Sequence, residues 1–126
     1  YMSATRGRFP YLPRFDGQVE TLPEIPTTLP TADEALGRDG VRADNLDRFF
    51  LKKIEAPGPH VLTVHAELEG QRLSRGFTRF LSACQDRGVR FVRMIDLARG
   101  LTDLQEFEVV KMDIPGRAGR TSHQGQ

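Results

Sequence analysis

Apolar residues recur at helical spacing in two stretches of the chain, and each predicts a helix with one buried face. The first helix begins near Asp44, and its apolar positions are Leu46, Phe49, Phe50 and Ile54. The second runs from about residue 74 to residue 87 and ends at Gly88, which is a typical C-terminal stop. Its apolar positions are Phe77, Phe80, Leu81 and Cys84.

Two shorter helices are indicated by local signals. Thr31 followed by Glu34 has the spacing of a capping box, so a short helix begins at Thr31. It ends before Gly37, and a further short helix is predicted over residues 94–100.

A run of β-branched residues predicts a buried strand at residues 61–70, entered from the proline and glycine cluster at residues 56–59. Side chains alternate between the two faces of a strand. His65, Glu67 and Glu69 would therefore share one face, where the strand ends at Gly70.

The remaining strand signals are shorter. Residues 9–15 are too rich in proline for a central strand and predict a loop or an edge segment. Asp16–Gly17 predicts a hairpin turn, which would pair that segment with residues 19–25. Extended backbone at a sheet edge or a barrel mouth is predicted for residues 22–31. Strands are predicted for residues 89–92 and 106–114.

Strands that alternate with helices predict an α/β fold with a parallel βαβ arrangement. Because active groups gather at the carboxyl ends of such strands, His65 and residues 3–7 are expected to share a cleft. The sequence predicts one domain over residues 1–114. Residues 115–126, which contain almost no apolar side chain, are expected to form a flexible tail.

Composition excludes several classes of protein. In 126 residues, 18 Lys and Arg balance 17 Asp and Glu, so nonspecific nucleic-acid binding is not expected. A single cysteine forms no internal disulfide, and the three histidines are not at zinc-ligand spacing. We expect neither a membrane-spanning segment nor a signal peptide.

Two interpretations of His65 are open at this point. It is a catalytic group flanked by Glu67 and Glu69, or it is a hydrogen-bonded scaffold residue beside two solvated carboxylates.

Three blocks of sequence carry a resemblance to a known family. The first block is Tyr-x-Ser-x-x-Arg-Gly at residues 1–7, and the second is Glu-Ile-Pro-Thr-Thr-Leu-Pro-Thr-x-Asp-Glu-x-x-Gly-Arg-Asp at residues 24–39. The third is Leu-Thr-Val-His-Ala-Glu-Leu-Glu-Gly at residues 62–70. In order and spacing they resemble the C-terminal part of polysaccharide deacetylases of the NodB-homology superfamily. Within that superfamily they are most similar to the 4-deoxy-4-formamido-L-arabinose-phosphoundecaprenol deformylases.

The resemblance implies a distorted (β/α) barrel and a hydrolase that removes a formyl or acetyl group from an amino sugar, as in lipid A modification. It implies a divalent metal, zinc or similar, whose Asp and His ligands are not in this chain. His65 would be the general acid that protonates the departing amine, a task suited to imidazole. Arg6, Glu67 and Glu69 would line the substrate site. The implied partner is an amino sugar or an undecaprenyl-phosphate-linked sugar, met in the cytoplasm at the inner face of the membrane.

Two positions qualify that assignment. The family carries an aspartate where this chain has Ala4, and Glu67 is the candidate replacement beside His65. Arg6 is either a substrate or phosphate contact or half of a structural ion pair. The alternative function is a non-catalytic piece that binds carbohydrate or serves as a scaffold.

Overall fold

The structure is a computed structural model that describes residues 1–115 and 117–126. The chain forms two compact units. The first unit contains Tyr1–Thr28 and Val92–Gln126, and the second contains Leu29–Phe91. The first unit joins the two ends of the chain, and the single domain expected over residues 1–114 stays a prediction.

The elements confirm an α/β fold. Their order is β1 Leu12–Phe15, β2 Gln18–Val19, α1 Ala32–Ala35, α2 Leu46–Lys53, a π-helical turn Leu68–Arg72, α3 Ser74–Asp86, α4 Met94–Arg99, β3 Glu106–Asp113 and β4 Arg120–Gln124. The strands form a sheet in the order β2-β1-β3-β4. Strand β1 runs parallel to β3, whereas the pairs β1/β2 and β3/β4 are antiparallel, so the sheet is mixed and not purely parallel.

The predicted hairpin at Asp16–Gly17 is confirmed. Both residues have positive φ, 49° and 81°, which is the conformation of a type I′ turn. The turn sets Phe15 opposite Gln18 and Arg14 opposite Val19.

The interpretation of residues 9–15 as a loop or edge segment was wrong for β1, which lies between β2 and β3. Pro13 is tolerated in β1 because its nitrogen, which carries no hydrogen, faces the short strand β2 and not β3. The neighbouring Leu12 N–H donates to the Gln105 carbonyl on the β3 side, so the Pro13 nitrogen faces the β2 side. Strand β2 begins at Gln18 and ends at Val19, and the Pro13 carbonyl still accepts from the Glu20 N–H at 2.9 Å.

Main-chain pairing in the first unit closes into a circuit. Strand β4 pairs with Arg6, and Arg6 pairs with Thr27. The segments that contain Arg6 and Thr27 pair a second time, through Met2 and Glu24. Glu24 also pairs with Tyr11, the residue before β1. Since β1 pairs with β3 and β3 with β4, the chain of hydrogen bonds returns to its start. Glu24, within the proline-rich stretch at residues 22–31, is therefore bridged on both sides instead of lying at a free edge.

Helices α2 and α3 pack against each other in the second unit, as their apolar faces predicted. The core comprises Ala32, Ala35, Val41, Leu46, Phe50, Leu51, Leu73, Phe80 and Cys84. Gly76 permits the close approach, because a Cβ at this position would lie 3.1 Å from the Ala43 carbonyl oxygen. At the rim, Arg79 donates from two nitrogens to the Asp47 carboxylate, each at 3.1 Å.

Local capping explains why the helices begin and end where the sequence indicated. The Thr31 N–H donates to the Glu34 carboxylate at 3.0 Å, which is the predicted capping interaction of α1. After α3, Gly88 has φ +71° and donates to the Gln85 carbonyl, while the Val89 N–H donates to the Cys84 carbonyl. This bond pattern is a Schellman motif, and it requires the positive φ that glycine adopts without strain.

The strand predicted for residues 61–70 was wrong. Residues 61–65 form no regular element, and the π-helical turn begins at Leu68. The chain turns at His65, whose carbonyl accepts from the N–H groups of both Leu68 and Glu69, at 2.9 and 3.0 Å. These bonds turn the chain into helical geometry before a strand ladder forms.

Two further expectations differ from the structure. Residues 89–92 form no strand, because the Schellman bond takes the Val89 N–H and both Phe91 and Val92 are exposed. Within the expected flexible tail, Arg120–Gln124 form β4, which pairs with β3 from Val109 to Asp113. A strand at this position needs backbone partners and not apolar side chains.

The core of the second unit predicts a sharp contrast between two phenylalanines. Phe50 is 1% exposed and Phe91 is 58% exposed. Phe50→Ala leaves a cavity and should lower the free energy of unfolding by about 3–5 kcal/mol. Phe91→Ala, the matched control, should change it by less than about 0.5 kcal/mol. Equal effects of the two substitutions in urea unfolding would contradict this core.

Candidate active site

His65 lies next to a carboxylate that the sequence did not assign to it. The Nδ1 atom is 3.9 Å from Oδ1 of Asp33, which is in the first turn of α1. Nδ1 is buried and has no hydrogen-bond partner among the described residues, whereas the side chain as a whole is 38% exposed. The part of the ring that faces solvent is therefore not the Nδ1 edge. At this distance Asp33 is near the ring without being hydrogen-bonded to it.

Glu69 holds the backbone of His65 in place. Its Oε2 accepts from the His65 N–H at 2.7 Å, and the residue is 3% exposed. Oε1 of the same carboxylate is buried without a hydrogen-bond partner in the described part of the chain. Glu67 is exposed, in the turn that precedes the π-helical turn. The common face predicted for His65, Glu67 and Glu69 is not formed, because these residues are not in a strand.

A divalent metal is implied by the resemblance. Among residues 1–115 and 117–126, no group of three His, Cys, Asp or Glu side chains is arranged to hold a metal ion.

Arg6 lines a cleft within the first unit, with a volume of about 300 Å³. Both backbone groups of Arg6 bond to β4. The Arg6 N–H donates to the Ser122 carbonyl at 2.9 Å, and the Arg6 carbonyl accepts from the Gln124 N–H at 2.7 Å. The residues lining the cleft are Ser3, Ala4, Thr5, Arg6, Thr27, Lys111, Arg117, Arg120, Thr121 and Ser122.

The segment that carries Arg6 is anchored by the buried carboxylate of Glu24. Its Oε1 accepts from the N–H groups of Ala4 and Thr5, at 2.7 and 2.8 Å, and from the Thr5 hydroxyl at 3.0 Å. The Thr5 hydroxyl also bonds with the Tyr11 hydroxyl at 2.9 Å. Burial raises the pKa of Tyr11 and the Glu24 charge raises it further, while the bond with Thr5 acts in the opposite direction.

The candidate residues divide between the two units. His65, Glu67 and Glu69 lie in the second unit and Arg6 lies in the first, so a cleft shared by His65 and residues 3–7 stays a prediction. Asp33 is the residue that sequence reasoning missed. Its membership of the second sequence block was a signal that Asp33 belongs to the site. An acidic residue in the first turn of a helix is also common for a purely structural reason, because it interacts favourably with the helix dipole.

Two curated proteins are similar to this chain over 98% of its length. A probable 4-deoxy-4-formamido-L-arabinose-phosphoundecaprenol deformylase of Shewanella sediminis is 34% identical over 125 residues. The protein with the same name from Wigglesworthia glossinidia brevipalpis is 34% identical over 130 residues. The resemblance to these deformylases is confirmed. The chain spans 40% and 44% of the length of these two relatives. No protein-family model matches the sequence.

None of the helices in the described part of the chain combines the length and the apolar character needed to cross a membrane.

The buried Tyr11 predicts a dependence of stability on alkaline pH. Because its pKa in the folded chain is above the value of about 10 expected in the unfolded chain, its contribution to stability is complete below that pH. It is lost as the pH rises through the folded-state pKa. Tyr11→Phe should reduce the decline in the free energy of unfolding between pH 9 and 11, whereas Tyr1→Phe, at an exposed position, should leave it unchanged. Urea unfolding at each pH measures this, and an unchanged slope in Tyr11→Phe would refute the assignment.

Proposed function

We propose that this protein takes part in the hydrolytic removal of a formyl group, or a related acyl group, from an amino sugar carried on a polyprenyl phosphate. The observation that carries the proposal is the similarity, over nearly the whole chain, to two deformylases named for a formamido-arabinose phosphoundecaprenol. The reaction takes up water and yields formate and a free amine. The substrate would be met at the cytoplasmic face of the membrane, and the chain would be the C-terminal part of a NodB-type (β/α) barrel.

His65 is the proposed general acid. Amide hydrolysis expels an amine, which leaves only after a proton reaches its nitrogen, and an imidazolium donates that proton near neutral pH. The exposed part of the ring supports this role, because Nδ1 is buried toward Asp33 and the remaining edge is open to a substrate.

Asp33 and Glu69 are proposed as positioning residues. The Asp33 carboxylate, 3.9 Å from Nδ1, would orient the ring of His65. Glu69 fixes the main chain at His65 through the 2.7 Å bond to its N–H. Glu67, exposed in the adjacent turn, is the candidate contact for the sugar, and Arg6 is the candidate contact for the phosphate.

His65→Ala should lower kcat for formate release by about 10²- to 10⁴-fold, because the leaving amine loses its proton donor. Stability should hardly change, since Nδ1 makes no hydrogen bond among the described residues and the backbone bond to Glu69 persists. His60→Ala is the matched control, because His60 bonds to the Ala56 carbonyl, and it should retain activity. The assay follows formate from a formamido-sugar polyprenyl phosphate. Full activity in His65→Ala would remove His65 from the mechanism.

Asp33→Asn should lower kcat by about tenfold and leave KM nearly unchanged, because a positioning charge acts on the ring and not on substrate binding. Asp33→Glu should restore part of the lost rate, whereas Asp39→Asn, at an exposed carboxylate six residues later in the chain, should have no effect. A rise in KM alone would instead make Asp33 a substrate contact.

The absence of formate release by the metal-supplemented protein, together with specific binding of the sugar, would favour the alternative of a non-catalytic carbohydrate-binding piece. The absence of both turnover and sugar binding would refute both functions.

A further inference from the structure

We infer that the cleft beside Arg6 is a binding site for a phosphoryl group. It is lined by four cationic side chains, Arg6, Lys111, Arg117 and Arg120. No carboxylate is among its lining residues in the described part of the chain. The chain as a whole has a net charge of only +1, so this concentration of positive charge is local.

Two of these cations donate hydrogen bonds only to groups that carry no negative charge in the described part of the chain. Lys111 Nζ donates to the Ser122 hydroxyl at 2.7 Å, and Arg120 donates to the Lys111 carbonyl at 2.6 Å. Both acceptors are neutral. Among the described residues neither cation forms an ion pair, although Asp113 is the cross-strand neighbour of Arg120. An anion entering the cleft would therefore not have to displace a carboxylate from either side chain.

The backbone explains how these groups converge. Lys111 lies opposite Ser122 in the β3/β4 ladder, and Arg120 lies two residues before Ser122, so the three share one face of the hairpin. The Arg6 N–H donates to the carbonyl of the same Ser122. Glu24 anchors the Arg6 segment by accepting from the Thr5 N–H, and Glu24 is not among the residues that line the cleft.

The chemistry favours phosphate over a carboxylate ligand. Several guanidinium groups surround a multiply charged tetrahedral anion with charge-assisted bonds, and the Ser122 hydroxyl, which accepts from Lys111, has its own proton to donate. A volume of about 300 Å³ accommodates a phosphoryl group together with an attached sugar. The phosphoryl group would come from a lipid-linked sugar or from a soluble phosphate ester. The lipid source rests on the proposed function, whereas the anion site rests on the cleft alone.

The test is a titration of the protein, followed by NMR or calorimetry, with inorganic phosphate, with glucose 1-phosphate, and with phosphatidylcholine vesicles that contain polyprenyl phosphate. Vesicles of phosphatidylcholine alone are the lipid control. Arg120→Gln should weaken phosphate binding about tenfold, and Lys111→Gln should do so to a similar extent. Arg90→Gln, an exposed arginine of the second unit, is the matched control and should bind as the parent does. Binding should weaken with added salt.

The outcomes separate the source of the ligand from the existence of the site. Tight binding only to the polyprenyl phosphate vesicles, lost in Arg120→Gln, supports the cleft with a lipid-linked ligand. Binding of the soluble phosphates alone, lost in the same variant, supports the cleft with a soluble ester. No binding of any probe, or equal loss in Arg90→Gln, overturns the site. Phosphate binding in a protein that releases no formate refutes the proposed function and leaves this inference standing.

Discussion

The first unit depends on one buried carboxylate. Glu24 has almost no exposed surface, and a single oxygen of its side chain accepts two backbone N–H groups and a hydroxyl. A buried carboxylate is costly unless such donors replace its lost hydration. Here the donors come from Ala4 and Thr5, in a stretch whose own sequence favours no regular structure. The charge therefore fixes a segment that local propensity leaves undetermined, and Arg6 follows directly after it.

The same residue closes the hydrogen-bond circuit of the unit. Its backbone pairs with Met2 on one side and with Tyr11 on the other, so Glu24 acts through its main chain and its side chain together. Prolines on both sides of it, Pro23 and Pro26, restrict the backbone to extended geometry. They also remove N–H groups that would otherwise need partners. A short segment with few donors can thus be bridged between two neighbours without leaving buried groups unpaired.

The parts of the fold that the sequence predicted are those decided by neighbours in the chain. The helices around Phe50 and Phe80 and the turn at Asp16–Gly17 depend on spacing, caps and φ preferences within a few residues. The strands depend on distant partners. Residues 61–65 have the composition of a strand, and the chain turns at His65 instead, whereas Arg120–Gln124 lack that composition and pair with β3. For the candidate site, composition pointed to His65 but not to Asp33, because their proximity arises from the packing of α1 against a segment thirty residues later in the chain.

The geometry at His65 bears on the role of general acid proposed for it. At 3.9 Å from Nδ1, the Asp33 carboxylate is beyond hydrogen-bond reach, and both side chains are partly exposed, at 38% and 53%. Exposed pairs of this kind contribute about 0–1 kcal/mol to stability, so the pair does little to hold the fold together. The effect of Asp33 is instead to place a carboxylate beside a buried ring nitrogen of His65. A substrate that covered both residues would exclude water and strengthen the attraction. Under the proposed function, the influence of Asp33 on His65 would then be greatest in the complex, where the general acid transfers its proton.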